Sequence, residues 1–92
     1  MIWIVTKQDF VILNGIEVGQ EVTPCDVKIY GDEGGAWLAT ESEILRHCEL
    51  YNIPLCDDCF FGEGKNTVRI EYKINGWQHV TVWHIGTQNE IL

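Results

Sequence analysis

The regular alternation of apolar and polar residues is clearest around Asn75-Gly76. Two segments rich in β-branched and aromatic residues, 67–74 and 77–85, flank this dipeptide. Asn-Gly accepts the positive φ angles of a two-residue type I′ turn, so the pattern predicts a β-hairpin. Such a turn fixes the register, brings Val68 opposite Trp83, and collects the large apolar side chains on one face.

A second Asn-Gly dipeptide, at 14–15, predicts another hairpin near the start of the chain. Residues 2–6 and 10–13 have the composition of two strands, and residues 16–18 form a short return strand after the turn. The uninterrupted apolar character of 10–13 is typical of a strand that is buried on both faces.

A further strand is predicted at 27–30, where apolar and polar residues alternate. The next five residues, 31–35, contain three glycines and two acids, which favours a flexible acidic loop. Residues 36–39 are then interpreted as a strand that returns beside 27–30, because a connection of this length is usual for a hairpin.

The segment from Thr40 to Glu43 has the Thr-x-x-Glu pattern of a capping box, which predicts the start of a helix. The helix is expected to run from about Glu41 to about Tyr51. Its expected apolar stripe consists of Ile44, Leu45, Cys48 and Tyr51. Together these elements predict an α+β fold in one domain spanning 1–92, with an antiparallel β-sheet of five to six strands built from hairpins and the α-helix packed on one face.

The sequence shows neither an export signal nor a membrane span. The apolar opening at 1–5 lacks a basic region and a small-residue cleavage site. No apolar run approaches the roughly 20 residues that cross a bilayer. The expected location is therefore cytoplasmic, in a compartment where the four cysteines stay reduced and are either free or metal-bound.

The charge of the chain is strongly negative and unevenly distributed. Fourteen acidic and six basic residues give a formal net charge of −8. Eleven of the acids but only two of the bases fall between Glu17 and Glu63. A chain with this charge repels nucleic acids and anionic membranes, so the expected partner is a basic protein.

Cys56 and Cys59 form a C-x2-C pair, which is half of a tetrahedral zinc site. Cys48, His47 and Cys25 are the candidates for the remaining ligands. A second pair with this spacing is missing, and the position of Cys48 on the apolar stripe favours a small buried side chain. No cofactor is therefore expected, and a small zinc-stabilised structural or adaptor domain is the alternative.

No catalytic motif is present. The chain contains no nucleophile elbow, metalloprotease helix, phosphate loop or dinucleotide fingerprint. Asp57 and Asp58 lie between Cys56 and Cys59, and their charges oppose the formation of a reactive thiolate. The protein is therefore expected not to be an enzyme.

The acidic middle of the chain also carries aromatic residues in predicted loops. Acids around an aromatic anchor suit a basic surface, because charge speeds association and aromatic burial supplies affinity. The predicted partner-binding residues are Asp32, Glu33, Trp37, Asp57, Asp58, Phe60, Phe61 and Glu63. They predict a non-catalytic inhibitor that occupies a basic, normally nucleic-acid-binding surface of a larger protein. Phage anti-CRISPR proteins, nucleic-acid mimics and toxin immunity proteins share this size and acidity as a class.

Overall fold

A computed structural model of the chain describes residues 1–19, 26–62 and 64–87. Within these ranges five antiparallel strands form one sheet, and one α-helix packs against it, so the predicted α+β class is confirmed. The elements are β1 (Trp3–Leu13), β2 (Ile16–Gly19), β3 (Asp26–Tyr30), α1 (Glu33–Leu50), a short 3₁₀ helix (Asp57–Cys59), β4 (Thr67–Ile74) and β5 (Trp77–Thr87). Neither described helix combines the length and the hydrophobicity that crossing a membrane requires.

Strand β1 lies at the centre of the sheet. One of its edges pairs with β5 over residues 3–12. Its other edge is divided between β3, which pairs with residues 3–7, and β2, which pairs with residues 10–13. The two strands expected at 2–6 and 10–13 are therefore one continuous strand, because the polar residues between them still pair with β5.

Both Asn-Gly turns have the predicted conformation. The two turn residues have φ angles of 52° and 79° in the first hairpin and of 51° and 84° in the second. The predicted register of the second hairpin is also confirmed, with Val68 opposite Trp83 and Ile74 opposite Trp77. Strand β4 completes the sheet on the far side of β5.

Helix α1 begins at Glu33, well before the predicted start near Glu41. Asp32 is its N-cap: the residue has extended φ and ψ angles of −142° and 156°, and its carboxylate accepts a backbone N–H of the first turn at 3.2 Å. The predicted strand at 36–39 is therefore wrong. The predicted loop at 31–35 contains the cap and the first helical turn instead.

The buried stripe of α1 shows why the helix extends this far back. Its members follow each other at intervals of four residues, which places them on one side of a helix. They are Ala36, Thr40, Ile44 and Cys48. Thr40 is only 1% exposed, so it packs in the interface with the sheet and does not cap the helix. Leu45 was predicted to belong to the stripe but is 40% exposed, because it lies outside this four-residue row.

The helix packs on the hairpin face that the register predicted. Tyr51, the C-cap of α1, stacks on Tyr72 of β4 with ring centroids 4.7 Å apart. Ile44 and Trp83 are completely buried in the same cluster. The buried core consists of Val5, Ala36, Ile44, Cys48, Cys59, Phe61, Val68, Ile70, Tyr72, Trp83 and Ile85.

Candidate partner-binding groove

A cavity of about 530 Å³ opens at the end of the sheet where β1 begins and β5 approaches its end. Its size lies in the usual range for pockets that hold a small ligand or a side chain. Its side-chain walls come from Trp3, Glu33, Trp37, Lys65, Asn66 and Ile85. This cavity is called the groove below.

The first turns of α1 form one wall of the groove. Glu33 and Trp37 are four residues apart, so both project from the same side of the helix. Trp3 pairs with Tyr30 of β3, and the chain runs from Tyr30 through a single glycine to the N-cap Asp32. This short connection holds the beginning of the helix beside Trp3.

Trp37 connects the groove to the segment that follows the 3₁₀ helix. Its ring centroid lies 5.8 Å from that of Phe61, with the two planes at 46°. Phe61 is 6% exposed and belongs to the core, and Phe60 is half-buried against the same core. Phe61 therefore supports Trp37 from inside the protein, which corrects the expectation of an exposed aromatic anchor at this position.

The two predicted acidic pairs differ in their relation to the groove. Glu33 lines it directly, one residue after Asp32. On the other side, the Lys65 ammonium lies 3.8 Å from the Asp58 carboxylate and donates a hydrogen bond to the Asp57 carbonyl at 3.3 Å. Lys65 lines the groove but Asp57 and Asp58 do not, so the second acidic pair is linked to the groove only through this lysine.

The acids at or near the groove differ in whether their carboxylates already have a partner within the protein. The Asp32 carboxylate caps α1, whereas Glu33 has no ion-pair partner among the described residues. The Asp58 side chain is 92% exposed, so its charge still faces solvent despite its contact with Lys65. Glu63 lies outside the described residues.

Several acids away from the groove are balanced by neighbouring bases. These contacts join α1 to β1 and β3, and β4 to β2, and they act as ordinary surface ion pairs. The pairs are Glu43 with Lys7 and Lys28, and Arg69 with Glu17 and Glu71. Glu33 differs from these paired acids because its carboxylate has no ion-pair partner among the described residues and lines the groove.

The thiols form a cluster near the C-terminal end of α1. The Sγ atoms of the exposed Cys56 and the buried Cys59 are 3.8 Å apart. That separation is about the edge length of a zinc–thiolate tetrahedron with bonds of ~2.3 Å. Burial, followed by the neighbouring Cys59 thiol, raises the pKa of Cys48 to about 11, so Cys48 is a neutral thiol at neutral pH.

The described residues provide only part of a zinc site. Although Cys48 interacts with Cys59, no group of three described His, Cys, Asp or Glu residues has the arrangement that would hold a metal ion. Cys25 lies outside the described residues. What the structure places together is therefore the Cys56–Cys59 half-site.

His47, the remaining predicted ligand, packs among aromatic rings. Its ring centroid lies 4.8 Å from Tyr51, 4.6 Å from Tyr72 and 5.1 Å from Trp83. Its Nε2 atom is buried and has no hydrogen-bond partner in the described part of the chain. Burial lowers the pKa of His47, which keeps the ring neutral and suits this apolar cluster.

Sequence reasoning found Glu33 and Trp37 but missed Trp3 as a wall of the groove. Trp3 stands in an apolar strand, where an aromatic residue is normally assigned to the core. The pairing of that strand with β3, which leads directly into α1, is visible only in the structure. No protein-family model, curated protein or solved structure matches the chain, so the groove is interpreted from its own geometry.

Proposed function

We propose that this protein is a non-catalytic binding protein that uses the groove and its acidic border to occupy a basic surface of a larger protein. The observation that carries the proposal is the cavity walled by Trp3 and Trp37, which Glu33 lines directly and to which Asp57 and Asp58 are linked through Lys65. The basic surface is one that normally binds nucleic acid, so the protein acts as an inhibitor. The proposed compartment is the cytosol.

Charge gives the groove its preference for a basic partner. With a formal net charge of −8, the chain attracts basic proteins over a distance and repels nucleic acids and anionic membranes. Exposed acids such as Asp58 and Glu33 then present negative charges to a surface that is built to contact phosphates. Charge of this kind mainly raises the association rate and selects the partner.

The tryptophans supply the affinity. Trp37 is half-buried and supported by Phe61, so its ring is held in place before a partner arrives. A fixed aromatic side chain loses little entropy on binding, which is why tryptophan dominates many interfaces. The groove thus combines a charged border with a rigid apolar wall.

The test uses the immobilised protein to capture its partner from cells of the source organism. A basic nucleic-acid-binding protein should be retained, and its own nucleic acid should displace it. Asp57→Lys with Asp58→Lys should reduce capture, because the border then repels a basic surface. The control is Glu49→Lys, which reverses an exposed acid at the opposite end of α1 and should leave capture unchanged.

Two results would refute the proposal. One is a captured protein that nucleic acid does not displace. The other is equal capture by the parent and by the Asp57→Lys, Asp58→Lys variant, since the acidic border would then have no role in binding.

A further inference from the structure

We infer that the groove is a receptor for one arginine side chain of the partner, with the guanidinium group between Trp3, Trp37 and Glu33. This inference rests on the proposed function, because it names the chemical group that the groove accepts from a basic protein. Three observations carry it: the two indole walls, the unpaired carboxylate and the internal neutralisation of Lys65.

The walls favour a cation. Trp3 and Trp37 both line the groove, and both are half-buried, so the side chains are fixed while part of each ring stays accessible. The face of an indole attracts cations more strongly than the face of any other side chain. A shallower depression of about 330 Å³ is also lined by Glu33 and Trp37, so the same pair borders two adjoining openings.

Glu33 supplies the negative charge. Its position four residues before Trp37 puts the carboxylate and the indole on the same side of α1. No described residue forms an ion pair with this carboxylate. It can therefore accept two parallel hydrogen bonds from a guanidinium group, which is the geometry that arginine offers.

Lys65 does not turn the groove into an anion site. Its ammonium is held by the Asp58 carboxylate at 3.8 Å and by the Asp57 carbonyl at 3.3 Å. The partial positive charge at the start of α1 is met in the same way by the Asp32 cap and by Glu33. Asp58 thus balances the charge of Lys65, and Glu33 adds a carboxylate without an ion-pair partner among the described residues, so the groove favours a cation.

Arginine fits these walls better than lysine. A guanidinium group is planar and weakly hydrated, so it stacks on an aromatic face and loses little hydration on entering. A lysine ammonium is compact and strongly hydrated, and it offers no flat surface to an indole. The apolar side chain of Ile85 at the back of the groove strengthens this preference.

The experiment titrates the whole protein with N-acetyl-arginine amide and follows the four indole N–H signals by nuclear magnetic resonance. The indole N–H signals of Trp3 and Trp37 should shift as the ligand is added and reach a plateau at high ligand concentration. Those of Trp77, which is exposed on the last hairpin, and of the buried Trp83 should not shift, so they are internal controls. N-acetyl-citrulline amide has the same shape without the charge and should bind at least about tenfold more weakly.

Glu33→Gln should weaken binding of the arginine amide by about tenfold. This residue is exposed and unpaired, so its substitution leaves the fold intact. Trp37→Leu should abolish the binding, and its melting temperature shows whether the lost contact with Phe61 has also disturbed the fold. Glu49→Gln is the matched control and should bind like the parent.

Equal binding of the arginine and citrulline amides would overturn the inference, as would an unchanged affinity of Glu33→Gln. Arginine-amide binding in the predicted place, together with failure of nucleic acid to displace the captured protein, would support the receptor and refute the inhibitor role. Absence of arginine-amide binding at Trp3 and Trp37, together with displacement of the captured protein by nucleic acid, would retain the inhibitor role and refute the receptor.

Discussion

The Thr81 hydroxyl donates a hydrogen bond to the Asp9 carboxylate at 2.6 Å, between residues that are paired directly across β5 and β1. The Tyr72 hydroxyl lies 2.8 Å from the same Thr81 oxygen, and it is the donor because the Thr81 proton is already used. Burial raises the pKa of Tyr72, so the phenol keeps this proton. A chain of polar groups therefore connects three strands beneath the helix.

Thr81→Val should destabilise the protein by about 1–3 kcal/mol, because it leaves the buried Tyr72 hydroxyl without its partner. Urea unfolding followed by circular dichroism measures the change. Tyr72→Phe is the control: it removes only the end of the chain and should cost less. Equal stability of Thr81→Val and the parent would show that the hydrogen bonds contribute nothing net.

A second prediction concerns pH and His47. Burial lowers the pKa of its imidazole below the ordinary value of 6.5, and Lys7 lowers it further, while Asp9 and Glu43 act in the opposite direction. Between the lowered pKa and 6.5 the unfolded chain binds the proton more readily than the folded one. The stability contributed by the neutral ring is therefore complete above pH 6.5 and decreases as the pH falls below it.

Melting temperatures at about pH 7.5 and about pH 5.5, roughly one unit either side of the ordinary histidine pKa, provide the measurement. The parent should lose stability on acidification. His47→Phe keeps a ring among Tyr51, Tyr72 and Trp83 but cannot be protonated, so its pH dependence should be shallower. Identical pH dependence in both proteins would mean that other groups cause the change.

The Asn75-Gly76 turn between β4 and β5 gives a third prediction. Gly76 has a φ angle of 84°, and a Cβ placed there would meet no heavy atom within 4 Å. Gly76→Val should therefore cost more than ~1 kcal/mol purely through its backbone conformation. Thermal unfolding measures the change. Gly31 also has room for a Cβ but no positive φ angle, so Gly31→Val is the control. An unchanged melting temperature for Gly76→Val would contradict the type I′ assignment.

Removal of metal gives a fourth prediction. Dialysis against a chelator should leave the circular dichroism spectrum and the melting temperature unchanged, because Cys56 and Cys59 form only a half-site in the described chain. A structural zinc ion contributes folding free energy directly, so its loss would be visible. Stoichiometric zinc in the purified protein, with unfolding on chelation, would favour the zinc-stabilised adaptor instead.

Binding kinetics give a fifth prediction. Asp57→Lys with Asp58→Lys should slow association with the captured partner, and added salt should slow association of the parent, since screening limits the field to ~8 Å at physiological ionic strength. Trp37→Ala should mainly speed dissociation, because it removes buried contact area. Surface plasmon resonance separates the two rates. An association rate of the parent that is independent of salt would contradict electrostatic steering.

The hairpins could be predicted because their turns are determined by two adjacent residues. The start of α1 could not, because Gly34 and Gly35 have low helix propensity and suggested a loop. In the structure, a Cβ at Gly35 would lie only 2.8 Å from an Asp32 carboxylate oxygen, so glycine gives the cap the room it needs. The Thr40 pattern then suggested a cap at a position that is buried.

The members of the site were partly predictable, but their arrangement was not. Acids and aromatic residues can be recognised in a sequence, whereas Phe61 could be assigned to the core only after α1 was placed. The link between Asp58 and the groove that Glu33 lines runs through Lys65 and depends on packing between distant segments. No local pattern encodes such a relationship.

The pairing of β1 with β5 also determines when the groove can exist during folding. The two hairpins close locally, but β1 pairs over most of its length with the strand furthest from it in the chain. Pairings between distant segments form late because a long loop must close first, which slows folding relative to helical domains of the same size. Trp3 and Ile85 meet only at that step. In the folding chain the acidic charge is therefore present before the groove, which forms only when β5 has joined β1.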